Sequence, residues 1–192
     1  MLAVDTAPHL FWITSRAAGT AALLLSSASV GLGVAMAGRL LPNRGGNLRY
    51  THEALSLATI VALVVHALAL LGDGVLHPSL ADVTIPFVNS YERLWTTLGI
   101  VGGWMLVLLG LSYYVRARIG IARWRRLHRF TLLAWILGIA HTLGEGTDAG
   151  VAWFLVAAGV VTVPAVLLVI ARVSAAAHRT NEPQQRQEVT AA

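Results

Sequence analysis

The sequence predicts an all-α, polytopic membrane bundle of five transmembrane helices, with the N-terminus outside and the C-terminus cytoplasmic. Three observations carry this. Uncharged apolar stretches recur at Ala17–Gly38, Ala54–Gly72, Leu94–Val115, Phe130–Gly144 and Ala149–Ala171. Only 12% of the residues are charged, where a soluble domain carries about a quarter. Basic residues gather on alternate linkers. Apolar runs of roughly 20 residues match the ~30 Å hydrocarbon core of a bilayer, and the mean hydropathy of +0.69 agrees. A soluble globular enzyme is excluded.

Residues 1–10 read as a short outer N-terminus. The first span occupies residues 11–38. Ala35-Met36-Ala37 resembles a signal-peptidase site, but the apolar run before it is long and no early Lys or Arg leads it, so the span is expected to be retained. The linker Arg39–Tyr50 carries Arg39, Arg44 and Arg49 and no acid. Span two follows Thr51-His52-Glu53. The outer linker, Asp73–Glu92, is long for a helix–helix connection. It reads either as a lid or docking surface or as a solvated connector.

Span three ends in a loop with Arg116, Arg118, Arg123, Arg125 and Arg126, and Arg129 stands just inside span four. Span five leads through Arg172 into a tail, residues 173–192, expected to be disordered, with Arg179 and Arg186. The opposite face holds Asp5, Asp73, Asp82, Glu92, Glu145 and Asp148, with only Arg93 and the membrane-edge Arg16. Twelve of the 14 basic residues, all arginines, thus share one side, which the positive-inside rule makes cytoplasmic. The cell (inner or plasma) membrane is the expected location. The +5 net charge is therefore a topology signal, and no nucleic-acid partner is expected.

The glycines read modestly. Gly99 and Gly103 form a small-xxx-small pair suited to close helix packing. Gly31-x-Gly33 lies inside an apolar helix, so it is no nucleotide loop. Cysteine is absent, which removes thiolate chemistry, iron–sulfur clusters and covalent haem attachment.

Four of the seven histidines lie in or at the ends of two spans. His66 follows His52 by fourteen residues, and His141 follows His128 by thirteen. Ionisable groups at membrane depth are costly and mark function. Spans two and four are separated by one span, so they run parallel. His52 and His128 then share the cytoplasmic level, and His66 and His141 share an outer level about 20 Å away. Two imidazole pairs on separate levels suit two haems stacked across the membrane better than zinc, which needs three or four converging ligands. The thirteen-residue step leaves about 140° of helix offset. Span four is therefore expected to approach its two haems from different flanks, to tilt, or to carry a local bulge, for which Gly138 is a candidate position.

Arg49-Tyr-Thr-His52 through His66, and Trp124-Arg-Arg-Leu-His128-Arg129-Phe through His141, resemble the ferric reductase-like transmembrane domain superfamily. That superfamily includes ferric-chelate reductases, NADPH oxidases and the haem-binding membrane subunit of the bacterial periplasmic methionine sulfoxide reductase system. Trp12-Ile-Thr-Ser-Arg16-Ala-Ala-Gly19 resembles its early arginine-bearing helix. The likeness covers about residues 11–172.

The resemblance implies a membrane oxidoreductase or an electron-transfer subunit holding two non-covalent haem b groups. His52 and His128 would ligate the inner haem, and His66 and His141 the outer one. Arg16 would face the outer haem or attract an anionic acceptor; read without the resemblance, it is a snorkelling interface residue. Arg129, with Arg49, Arg125 and Arg126, would meet inner propionates. Members commonly have six spans, and this chain shows five. Many relatives continue into a flavin and nicotinamide domain, for which the short tail leaves no room. Electrons are then expected from a separate flavoprotein or quinol. They would pass to an outer acceptor such as a ferric chelate, or to a periplasmic methionine sulfoxide reductase-type partner. A reading of another class stays open: a non-redox transporter or assembly protein whose histidines pack helices or relay protons. The scarcity of Asp and Glu within the spans speaks against it.

Overall fold

The computed structural model describes residues 7–41, 46–74 and 76–191, and these form helices and turns without a strand. The helices are α1 (Ala7–Ala37), α2 (Gly46–Leu71), α3 (Leu80–Thr84) and α4 (Arg93–Leu111). After a 3-10 turn (Ser112–Val115) come α5 (Arg116–Ile119), α6 (Ile121–His128), α7 (Thr131–Glu145) and α8 (Ala152–Ala191). Asp5 and Arg44 lie outside the described residues, as do the side chains of His178, Arg179 and Arg186. Helix α8 continues into the tail of residues 173–192.

Four stretches are long and apolar enough to cross a membrane: His9–Ala37, Asn47–Leu71, Arg93–Ile119 and Ala152–Ala175. By length and composition this is a multi-pass membrane protein. The expected span over Phe130–Gly144 is helical, but α7 has 15 residues. That is about 22 Å of helix, less than the ~30 Å hydrocarbon core. Among the described residues the structure thus holds four membrane-length helices rather than five. The shortening has a local cause. At Arg129–Phe130 the backbone bonds reach back three residues, from Phe130 N–H to the Leu127 carbonyl (2.9 Å) and from Leu132 N–H to the Arg129 carbonyl (3.2 Å). This tight turn separates α7 from the arginine-rich α6.

Helix α1 stands at the centre, packed on α2, α7 and α8, while α4 packs on α7. Its small residues make this possible: Ala22, Ser26, Ser27, Ser29 and Ala35 are all buried. Where lipid is the solvent, close van der Waals packing and interhelical hydrogen bonds drive association, and small side chains permit both. At mid-height the Trp135 indole N–H donates to Ser27 Oγ (2.9 Å), and Ser27 meets Thr162 Oγ1 at 3.1 Å. Trp135 is only 2% exposed. Arg16 pairs with Asp148, Ser27 with Thr162, and Gly31 lies against Ala165. This register makes α1 and α8 parallel. On the far side of α8, Val156, Val160, Val163, Leu167 and Ile170 are each more than half exposed. Such a continuous apolar stripe is what lipid would cover.

The linker Asp73–Glu92 does not stand free of the helices. Ser79 and Asp82 cap α3 reciprocally. The Trp104 indole N–H donates to the Thr84 carbonyl at 2.9 Å, and the Phe87 N–H donates to Thr97 Oγ1 at 3.0 Å. The linker is therefore folded back along the flank of α4. On the other side of α4 the chain reverses at Gly120, whose φ of +89° glycine adopts without strain.

Candidate functional site: two levels of paired histidines

Helices α1 and α2 pack antiparallel in a register that repeats after fourteen residues. Near one end, His66 Nδ1 donates to the Ser15 carbonyl (2.8 Å), with Ser15 Oγ at 3.0 Å. Fourteen residues along each helix, His52 Nδ1 donates to the Ser29 carbonyl (3.0 Å), with Ser29 Oγ at 3.2 Å. Helices α4 and α7 repeat the motif once, where His141 Nδ1 donates to the Trp95 carbonyl at 3.0 Å.

Each ring sits in a notch. Four residues beyond each accepting carbonyl stands a glycine: Gly19 after Ser15, Gly33 after Ser29 and Gly99 after Trp95. A Cβ at Gly19 would come within 3.1 Å of the His66 ring, one at Gly33 within 3.1 Å of His52, and one at Gly99 within 2.7 Å of His141. The missing side chain lets the imidazole lie against the helix backbone and reach a carbonyl already used by the helix. His128 is the exception. The corresponding carbonyl is that of Leu109, and four residues on stands Tyr113 rather than glycine. His128 Nδ1 is buried without a hydrogen bond of normal geometry, although the Leu109 carbonyl is close. Its ring instead stacks on Trp124, with centres 5.0 Å apart and planes at 26°. Trp124 is held by its own N–H bond to Ser112 Oγ (3.0 Å).

The histidines meet in two pairs. The His52 and His128 ring centres are 6.3 Å apart, and those of His66 and His141 are 6.4 Å apart. The pairing is the one the spacing predicts. The thirteen-residue step is accommodated at the Arg129–Phe130 turn rather than by a bulge at Gly138: His128 ends α6, and His141 lies on α7, a separate helix.

This arrangement has a definite chemistry. Two imidazoles binding one metal atom from opposite sides, with metal–nitrogen bonds of about 2.0–2.1 Å, hold their ring centres a little over 6 Å apart. Both pairs are at that separation. In three of the four rings Nδ1 is engaged, and among the described residues no Nε2 has a protein hydrogen bond. Such engagement fixes the tautomer that leaves Nε2 free to bind a metal. No group of three or more metal-binding side chains exists among the described residues. Two donors per level are too few for a protein zinc site. Two facing imidazoles could serve as the axial donors of a metal whose remaining ligands come from a bound group. Helices α2 and α7, which carry the His66–His141 pair, are not closely packed on each other, whereas α2 packs on α1 and α7 on α4.

The two candidate arginines differ in surroundings. Arg16, next to Ser15, makes a two-pronged ion pair with Asp148, its Nε 3.1 Å from Oδ2, and lies 4.1 Å over the Trp12 ring. Arg129 is exposed on the turn after His128. Arg49, Arg125 and Arg126 are exposed as well.

Several residues of the site were not singled out by the sequence. Gly19, Gly33 and Gly99 entered the sequence reading in other roles, not as seats for imidazole rings. A signal for them existed: Ser15-x-x-x-Gly19 and Ser29-x-x-x-Gly33 are separated by fourteen residues, as His52 and His66 are. Glu145 was another, counted only as an outer-face charge. Its carboxylate Oε2 lies 3.2 Å from His141 Nδ1. Of the small-residue pair, Gly99 is in close contact as expected, while nothing lies within 4 Å of a Cβ at Gly103. Comparison with family models, curated proteins and solved structures returns no match for this chain.

Proposed function

We propose that this protein carries single electrons across a membrane through two bis-histidine haem b groups, His52 and His128 holding the inner one and His66 and His141 the outer one. The observation that carries the reading is the two facing pairs, 6.3 and 6.4 Å between ring centres, set fourteen residues apart along α2. The resemblance to the ferric reductase-like superfamily points the same way. Haem iron, when bound, supplies a one-electron couple at each level.

The chain's own residues do the rest. The carbonyls of Ser15, Ser29 and Trp95 hold three ligand rings in orientation. Trp124 steadies the fourth. Trp135, buried on α7 between His128 and His141 in the chain, is tied to the central helix by its bond to Ser27. Arg129, exposed beside His128, is the cation for an inner propionate. Arg16, tied to Asp148, makes the outer end electropositive only as far as that pair leaves charge unbalanced.

In this reading α7 is the fifth crossing, despite its length. The support is the parallel register of α1 and α8, which requires the chain between α4 and α8 to return across the bundle. The N-terminus is then outside and the C-terminus cytoplasmic, in the cell membrane. The donor is a separate flavoprotein or quinol on the cytoplasmic side. The acceptor is an outer ferric chelate or redox partner.

The test is a vesicle assay. Protein reconstituted into liposomes with a reductant trapped inside reduces an external ferric chelate, and His66→Ala and His141→Ala abolish the reduction. Transfer at the wild-type rate in both variants sinks the proposal.

A further inference from the structure

The four proposed ligands are alike in type but not in surroundings. His52 and His66 have neutral partners at Nδ1, namely the carbonyls and hydroxyls of Ser29 and Ser15. His128 Nδ1 has no hydrogen bond of normal geometry. The outer pair has an anion beside it, Glu145, in contact with His141 and within electrostatic reach of His66. Glu145, one turn along α7, places Oε2 3.2 Å from His141 Nδ1, while the Nδ1–H donates to the Trp95 carbonyl. The carboxylate is itself held in place: Thr96 Oγ1 lies 3.1 Å from both of its oxygens. Thr96 follows Trp95, so one short stretch of α4 fixes both the ring and the acid. The His141 and Glu145 side chains are 26% and 19% exposed, so solvent screens the contact only in part.

We propose that Glu145 is a positioning residue for the outer site, acting through His141 to set that site's reduction potential below that of the inner site. The inference rests on the reading of His66 and His141 as the ligands of one haem. The oxidised iron carries one positive charge more than the reduced iron, and the couple exchanges one electron and no atom. A carboxylate against the ligand raises the basicity of the imidazole and stabilises the more positive state. Among the described residues no carboxylate is in contact with either inner ring, Glu53 beside His52 being engaged by Tyr114, and His128 Nδ1 lacks a hydrogen bond of normal geometry. The first electron added therefore rests on the inner level and the second on the outer. The outer site is the stronger reductant, on the side where the acceptor waits.

The experiment is an optical redox titration of the full-length protein in lipid nanodiscs. The wild type gives two one-electron waves, and His66→Ala removes the lower one, which assigns it to the outer site. Glu145→Gln moves that lower wave positive by about tenfold in the reduction equilibrium, about 59 mV for one electron. It leaves the upper wave in place and both haems bound. Glu145→Asp, which keeps the charge, returns the wave most of the way. A Glu145→Gln variant whose waves do not move overturns the inference, and so does His66→Ala removing the upper wave. Loss of the outer haem in both Glu145 variants assigns the carboxylate a purely structural task and overturns it too. A wild type that binds no haem defeats the functional reading itself, an outcome separate from all of these.

Discussion

Gly99 and His141 are in a contact that only a residue without a side chain permits: a Cβ on Gly99 would stand 2.7 Å from His141 Nδ1 and 2.8 Å from Cε1. Neither a ring packed on α4 nor the α4 backbone can move without breaking the Nδ1–H bond to the Trp95 carbonyl. Gly99→Ala is therefore expected to displace His141, lower the haem-to-protein ratio from two to one, and destabilise the bundle by about 1–3 kcal/mol, the usual range for overpacking. Gly103→Ala, four residues along the same helix and with nothing near its Cβ position, leaves both quantities unchanged. Equal behaviour of the two variants in haem content contradicts the notch.

The helical class and the two histidine levels were legible because both depend on spacing. Apolar length reads directly as membrane-crossing capacity, and a fourteen-residue step returns close to the same helix face. The break at Arg129–Phe130 was not legible, since Trp124-Arg-Arg-Leu-His-Arg-Phe contains no glycine or proline and reads as continuous helix. Gly19, Gly33 and Gly99 were invisible as ring seats because a glycine in an apolar span looks the same whether it faces a helix or an imidazole. The partner of Arg16 depends on the register of α1 against α8, which no local pattern encodes. The outer linker's fold along α4 likewise rests on single hydrogen bonds from Trp104 and to Thr97.

Trp135 links the two levels to the central helix. Trp135→Phe removes the indole N–H bond to Ser27, while Ser27 keeps Thr162 as a partner. The expected loss is about 1 kcal/mol, with haem content intact. Trp135→Ala leaves a large cavity in a site only 2% exposed and costs about 3–5 kcal/mol. Thermal unfolding in detergent, followed by circular dichroism, ranks the two; equal midpoints exclude a packing role.

Arg16 and Asp148 tie the end of α1 to the turn before α8. Replacing either by a neutral residue, Arg16→Gln or Asp148→Asn, leaves the other charge part-buried and is expected to cost about 1–2 kcal/mol. The double variant should lose less than the two single losses together, because the pair couples. Strict additivity in a thermal double-mutant cycle means the pair contributes no interaction energy.

Acidification should loosen the outer linker. Asp82 accepts hydrogen bonds from the Ser79 hydroxyl (2.6 Å) and the Ser79 N–H (2.8 Å), and these hold its carboxyl below the ordinary value. A group whose folded value is lowered contributes stability that is present above its unfolded value and lost as pH falls through the folded one. The cap on α3 is thus complete at neutral pH and opens in acid. Hydrogen exchange at Ser79 and Asp82 reports it, with faster exchange as pH falls once the intrinsic pH dependence is removed. Asp82→Asn, which removes the titrating carboxyl, abolishes the difference.

The central claim is that each histidine pair holds one haem, and haem quantitation tests it most directly. The purified protein, expressed with ample haem, should give a pyridine haemochrome of two b haems per chain and low-spin bands in both redox states. His66→Ala and His128→Ala should each retain one. A wild-type chain that takes up no haem, or whose haem count does not fall in either variant, contradicts the account.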